Sequence, residues 1–527
     1  MKSVLLLVGA LLATMPVMAN ELPYTHDFQS ATTGPVADHE LAPWVQGFDF
    51  SAVVEQAHAY EGSFTPLSGS STKLLDIVTV DGLQVPVTMN DGEHQEVYVD
   101  TLMFLEPCDA HPAYIADNDE VKLSVHMNDN GDVVLFHGGA TGNANTTTVI
   151  PLGAATSAWY RVTIRMHMEA AHDGVETYPF FQVLLDGQIL TSVNHGFAVP
   201  VAASANYTGG SWFRFANRND QSGSHRKMSA VAFQGAGKLD ELVVAVSPSI
   251  SDLSASQAIW DGTASGVTYG LYESTDLPGE SMTWSQVGTA ETGVGEKTTA
   301  VTTSGARHCF EPAPHGLAPG GLNAWTAFNL AIPVGFSFIG VPMEMSNGRS
   351  FHGALGQQLS DGLSDGDKVH VWDDGHWVAL TLNSGTWSDD HALPRGVGFF
   401  VERVAGTPTS VVFRGPIGNG GEQTTTVSDA HNGWNPISLS EGRHLTVQQA
   451  FRNVDSGTPV GHGDPYLADR VIGLGVDGWV MLVRQANGNW LRIDQSGQGD
   501  GNGYVLEPGR AFYYKRMSGS GGLTVRF

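Results

Sequence analysis

The chain has 527 residues, 41% of them apolar and 15% charged, with 54 Asp and Glu against 26 Lys and Arg for a net charge of −28. This length predicts several domains, and so acidic a surface excludes nucleic acid and anionic membrane as the main partners. The 64 glycines favour turn-rich β structure over helix.

Lys2, the apolar stretch "VLLLVGALLATMPV", and then Val17 and Ala19 at small-residue positions form an export signal, residues 1–19, with cleavage expected after Ala19. The stretch is too short to serve as a mature transmembrane helix. No later apolar run reaches that length. The mature chain is therefore expected to be secreted or cell-surface associated.

From residue 20 the sequence reads as short strands. "KLSVHM" (122–127) and "VVLFH" (133–137) alternate and flank "NDNG" (128–131), a hairpin turn with glycine where positive φ is needed. "WYRVTIRMHM" (159–168) puts Tyr160, Val162, Ile164 and Met166 on one face. Arg161, Thr163, Arg165 and His167 are then expected to face outward. "FFQVLLDGQIL" (180–190) is a strand, an Asp-Gly turn and a strand, and "SWFRFAN" (211–217) and "LVVAVS" (242–247) are further strands. Strands at this spacing, with no helices between them, predict an all-β sandwich or jelly roll.

Four segments carry a resemblance: "WYRVTI", "FQVLLDGQIL", "EVYVDTLMFLEP" (96–107) and "FQGAGKLDELVV" (233–244). Together they resemble the concanavalin A-like, laminin G-like jelly rolls of secreted bacterial proteins, over residues 20–248. The resemblance implies that "LDELVV" enters a last strand pairing near the N-terminal one. It gives Asp240 a turn or edge contact rather than a catalytic role, and calcium at the rim. Laminarinase-type enzymes on this fold carry E-x-D-x-x-E on one strand. The chain has no such pattern.

Residues 249–320 read as a small β module ending in the Pro/Gly linker "EPAPHGLAPGG" (311–321). The remainder is an internal repeat of two β-rich copies, 321–415 and 416–527. "GFSFIGVPM" (335–343) matches "GWNPISLS" (433–440), and "DKVHVWDDGHWVAL" (367–380) matches "DRVIGLGVDGWVML" (469–482). "SGTW" (384–387) matches "NGNW" (487–490), and "LPRGVGFFVERV" (393–404) matches "LEPGRAFYYKRM" (506–517). Segments 348–359 and 442–451 are expected to be short helices. The corresponding Trp377 and Trp479 read as core anchors. Cys108 and Cys309 fall in different units, which leaves a bridge and two free thiols both open.

Several motif-like stretches fail their context tests. "GLGVDG" (473–478) has dinucleotide-fingerprint spacing, but the strand "WVMLV" follows where a helix is required. "GVGEKTT" (293–299) places Glu296 where a phosphate loop needs glycine. "HMEAAH" (167–172) has the wrong His spacing for a zincin helix. No G-x-S-x-G elbow stands in a strand–helix context.

The candidate ligand-binding residues are His126, Trp212 and Arg214, all expected on outward strand faces as an aromatic platform with polar neighbours. Asp117, Asp119 and Glu120 in "ADNDE" offer oxygen ligands for calcium. The reading is an exported, non-enzymatic protein that binds a polysaccharide or cell-surface polymer through the jelly roll. The rivals are a structural or adhesive envelope component and a glycan-degrading enzyme with an unrecognised site.

Overall fold

The structure is a computed structural model. It describes residues between Asn20 and Arg526, excluding 36–44, 47–51, 56–72, 78–82, 90–95, 109–122, 139–144, 168–179, 191–198, 201–208, 217–228, 277–282, 417–423, 440–444 and some shorter stretches. The expected export signal lies outside the described residues. So do Asp117, Asp119 and Glu120. The fold is all-β, and among the described residues no helix is long and apolar enough to cross a membrane.

The N-terminal region builds an eight-stranded and a ten-stranded sheet. Their inner faces meet in one core, to which Leu123, Val125 and Met127 contribute from one sheet and Tyr160, Val162 and Ile164 from the other. The period-2 pattern read from the sequence is thus the sandwich interior. Local turn chemistry sets the registers. Asn128 Oδ1 accepts from the Asn130 and Asp132 amides, and Gly131 takes φ 76° in the hairpin. Asp186 and Gly187 both have positive φ, 52° and 77°, as a two-residue hairpin between Phe180–Leu185 and Gln188–Ile189 requires. The eight-stranded sheet is mixed, since Ser229–Gln234 runs parallel to both Gly209–Ala216 and Leu123–Met127.

The strand Ala236–Val246 does pair with the N-terminal strand Tyr24–His26, and on its other side with Glu96–Leu105. Asp240 does not sit in a turn or at an edge. It lies within the strand at a register shift, 0% exposed, beside Glu241 at 1%. A bulge turns a side chain out of strict alternation, which is why the sequence pattern misplaces this pair.

The outer face of the strand Ala158–His167 is not solvent-exposed at its described side chains. Arg161, Thr163 and Arg165, expected outward, are at most 4% exposed. The next module covers them. Arg161 Nε donates to both Asp100 oxygens at 3.0 and 3.1 Å, its Nη1 reaches the His315 carbonyl at 3.4 Å, and Arg165 Nη2 reaches the Ala318 carbonyl at 2.5 Å. Tyr98 and Tyr269 share a buried hydroxyl contact of 3.1 Å, and Val243 and Ala245 join Trp260, Tyr269 and Leu271 in one apolar cluster. Gly187 allows this approach, because a Cβ there would lie 2.2 Å from the Gly316 carbonyl. Residues 311–318 of the stretch expected as linker are therefore structure. Glu311–Pro314 end the strand Arg307–Pro314, and residues 315–318 latch onto the sandwich.

The small module has a three-stranded sheet and a five-stranded one, the latter ending in Trp325–Ile332 and Thr409–Pro416. Cys309 is buried in it, Cys108 is half-buried in the sandwich, and no disulfide joins them. Burial pushes the Cys309 thiol up to about 11. The folded thiol stays protonated where the unfolded one ionises. Its stabilising contribution is full below about pH 8.5 and is lost as pH rises towards 11. We expect Cys108 to react at least about tenfold faster than Cys309 with a thiol reagent at pH 8. Equal labelling rates by peptide mapping would contradict this burial.

The two repeat copies share one plan. In each, the first strand pairs with the last: Trp325–Ile332 with Thr409–Pro416, and Thr424–Val427 with Leu523–Arg526. The expected helices appear as Ala354–Gly362 and the single turn Val447–Ala450, which Thr446 and Gln449 close as a capping box. The fingerprint-like "GLGVDG" forms the end of a hairpin in which Gly475 pairs with Gly478. Each copy also buries one matched ion pair. Asp367 meets Arg403 at 3.4 Å, and Asp469 meets Arg516 at 2.5 Å with both side chains fully buried.

The copies dock about a local pseudo-twofold axis. Residue 339 of copy one corresponds to 437 of copy two, and 397 to 510. The bridges Ile339–Arg510 and Val397–Ile437 are thus the same contact made twice. The flanking hydrogen bonds repeat as well: the Gly340 amide donates to the Gly509 carbonyl at 3.1 Å, and the Ser438 amide to the Gly396 carbonyl at 2.8 Å.

Candidate functional site

Docking about this axis brings aromatic side chains from both copies to one side of the seam. In copy one, Val369 and Val371 are fully buried in the core, so the alternate residues His370 and Trp372 face away from it. Trp372 pairs with Trp377 across the hairpin, ring centroids 5.0 Å apart at 66°. Trp377 meets Phe400 at 5.0 Å, Phe400 stacks on Phe338 at 4.5 Å, and Phe338 stacks on Tyr513 of copy two at 4.8 Å. Tyr513 then meets Trp434 edge-on at 5.4 Å, and the Lys515 ammonium lies 5.0 Å from the Trp434 centroid. The rings form one connected row that crosses the axis.

Trp372, Trp377, Trp434, Ile472, Trp479 and Tyr513 line a cleft of about 430 Å³. Trp479 is 52% exposed and Trp434 37%. So much indole surface left open is unusual, since large aromatics contribute most when covered. Burial raises the Tyr513 phenol above its usual range, opposed by a side-chain hydrogen bond with Trp377 across the seam. Burial, and then nearby Arg470, lowers the Lys515 ammonium. The cleft therefore offers ring faces, a phenol and indole N–H groups.

Trp377 and Trp479 correspond as expected but are not core anchors. That role belongs to Trp387 and Trp490, 4% and 1% exposed. The Trp387 indole donates to the Gly356 carbonyl at 2.9 Å. The signal that could have separated them is parity: Trp377 pairs with Trp372, which is out of phase with the buried valines.

The residues singled out in the N-terminal region are not brought together as a described site. His126 is 4% exposed rather than outward in solvent. Trp212 and Arg214 lie in the strand Gly209–Ala216, opposite Pro86 and Gln84, and their side chains are outside the described residues. Among the described residues no group of three or more His, Cys, Asp or Glu could hold a metal ion. No family model matches the chain, and no curated protein matches it significantly.

Proposed function

We propose that this is an exported, non-enzymatic protein that binds a glycan or similar surface polymer, and that the aromatic cleft between its C-terminal copies is the contact surface. The N-terminal sandwich, read as a laminin G-like jelly roll, is then the second module of the same exported protein. The observation that carries the reading is the ring row crossing the axis. Pyranose rings present C–H faces that pack on aromatic faces, while indole N–H, phenol and ammonium groups take their hydroxyls. An extended polymer suits an open row better than a closed pocket.

The test is retention of residues 20–527 on a panel of immobilised polysaccharides, with and without calcium. Wild type should be retained selectively. Trp479→Ala and Trp377→Ala should each weaken retention by about tenfold, the scale of a binding hot spot. Loss in Trp212→Ala alone would move the site back to the N-terminal sandwich. A calcium requirement abolished by Asp117→Ala would assign the acidic loop. Wild type passing through every matrix under both conditions would end the glycan reading.

A structural or adhesive envelope role is the second reading. The buried Arg161 and Arg165 contacts between modules favour it, because they join the first two modules into one stiff unit. It becomes the better account if no polymer is retained.

A further inference from the structure

Copy two departs from copy one at three places that meet in one cavity. Leu393 follows Trp387 by six positions, whereas Leu506 follows Trp490 by sixteen, so copy two carries a ten-residue insertion. The insertion extends the sheet as the strands Trp490–Asp494 and Gly497–Asp500. Val371 of copy one, 0% exposed, corresponds to Gly473, and Val397 corresponds to Arg510. The result is a cavity of about 880 Å³ with Val471, Leu482 and Phe512 in its apolar lining. That volume lies in the range of small-ligand sites, about 300–1,000 Å³.

We propose that this cavity binds a carboxylate-bearing saccharide unit, with Arg510 as the partner of the carboxylate. Arg510 is exposed at the mouth, and its guanidinium has no hydrogen-bond or ion-pair partner among the described residues. A guanidinium matches a carboxylate with two parallel hydrogen bonds. Copy two is also far less acidic than the rest: residues 416–527 hold nine Lys and Arg against ten Asp and Glu, in a chain of 26 against 54. Asp494 in the lining is already engaged by Arg492 and Ser496, so the adjacent guanidinium offsets its charge. Glu507, Gln495 and Tyr504 remain to take sugar hydroxyls. Trp479 lines both this cavity and the aromatic cleft. The inference rests on the polymer reading to this extent: a chain on the cleft would pass over Trp479 and place one charged unit in the cavity.

The test is calorimetric titration of residues 20–527 with uronic-acid di- and trisaccharides and with their neutral, carboxyl-reduced counterparts. Wild type should bind the uronides and bind the neutral sugars at least about tenfold more weakly. Arg510→Val and Gly473→Val, each installing the copy-one residue, should both lose uronide affinity by about tenfold or more. Gly473→Val should fold, since a Cβ at Gly473 meets only Phe512 Cβ, at 3.6 Å. Trp377→Ala should leave uronide binding within about twofold while losing polymer retention. Uronide binding with no polymer retention would sink the cleft reading alone. Equal affinity for neutral sugars, indifference to either valine, or polymer retention without uronide binding would overturn the cavity proposal.

Discussion

Asp469→Asn should destabilise the C-terminal copy by about 3–5 kcal/mol, the cost of breaking a buried ion pair from one side. Asp469 and Arg516 are both 0% exposed. The carboxylate also accepts from the Val460 amide at 2.9 Å, the Met517 amide at 2.9 Å and the Tyr514 hydroxyl at 3.0 Å. Two chain segments, at 460 and at 514–517, converge on one anion, and neutralising it leaves the buried Arg516 charge with only the Thr458, Ser520 and Gly521 carbonyls as partners. Burial and the Asp469 charge also hold the Tyr514 phenol well above its ordinary range, so its proton stays as a donor to the carboxylate. The matched substitution Asp367→Asn should cost less, because its pair with Arg403 is longer at 3.4 Å. The chain has several modules, so one unfolding midpoint will not report this. Hydrogen exchange resolved by peptide should show protection lost in 433–527 for Asp469→Asn and in 325–416 for Asp367→Asn. Equal effects, or unchanged protection in both, would mean that these pairs do not hold their copies together.

The sequence made the strands legible because one sheet face packs on a core and alternates, as Leu123, Val125 and Met127 do. It made the repeat legible because hairpin and terminal strands recur at matching offsets. It could not make the outer faces legible. Alternation says that Arg161 and Arg165 point away from one core, not that a second module will cover them. The same limit hid the cleft. Trp377 and Trp479 were recognisable as partners, but only the docking of the copies shows that their rings face a shared gap. A buried bulge such as that at Asp240 leaves no local signature either, since it is set by the neighbouring strands.

Gly398→Val should separate the two copies while leaving each folded, and with them should go the cleft. A Cβ at Gly398 would lie 2.4 Å from Ala511 Cβ, and one at Gly340 would lie 2.1 Å from Ser438 Cβ. Residue 398 corresponds to 511 and 340 to 438, so both collisions occur between matched positions across the axis. Each copy keeps its own apolar core, one around Phe351, Leu355 and Phe399 and the other around Val447, Trp490 and Tyr514. Overpacking of this kind costs about 1–3 kcal/mol where neighbours cannot yield. Here rigid-body separation relieves it, at the expense of the Phe338–Tyr513 stack. Polymer retention should then fall by about tenfold, as for Trp479→Ala. Exchange protection within each core should persist. Ala511→Gly removes the opposing methyl and should restore retention in a Gly398→Ala background, a coupling that independent sites do not show. If Gly398→Val retains polymer as well as wild type does, the seam is not the binding surface, and the aromatic row serves only to hold the copies together.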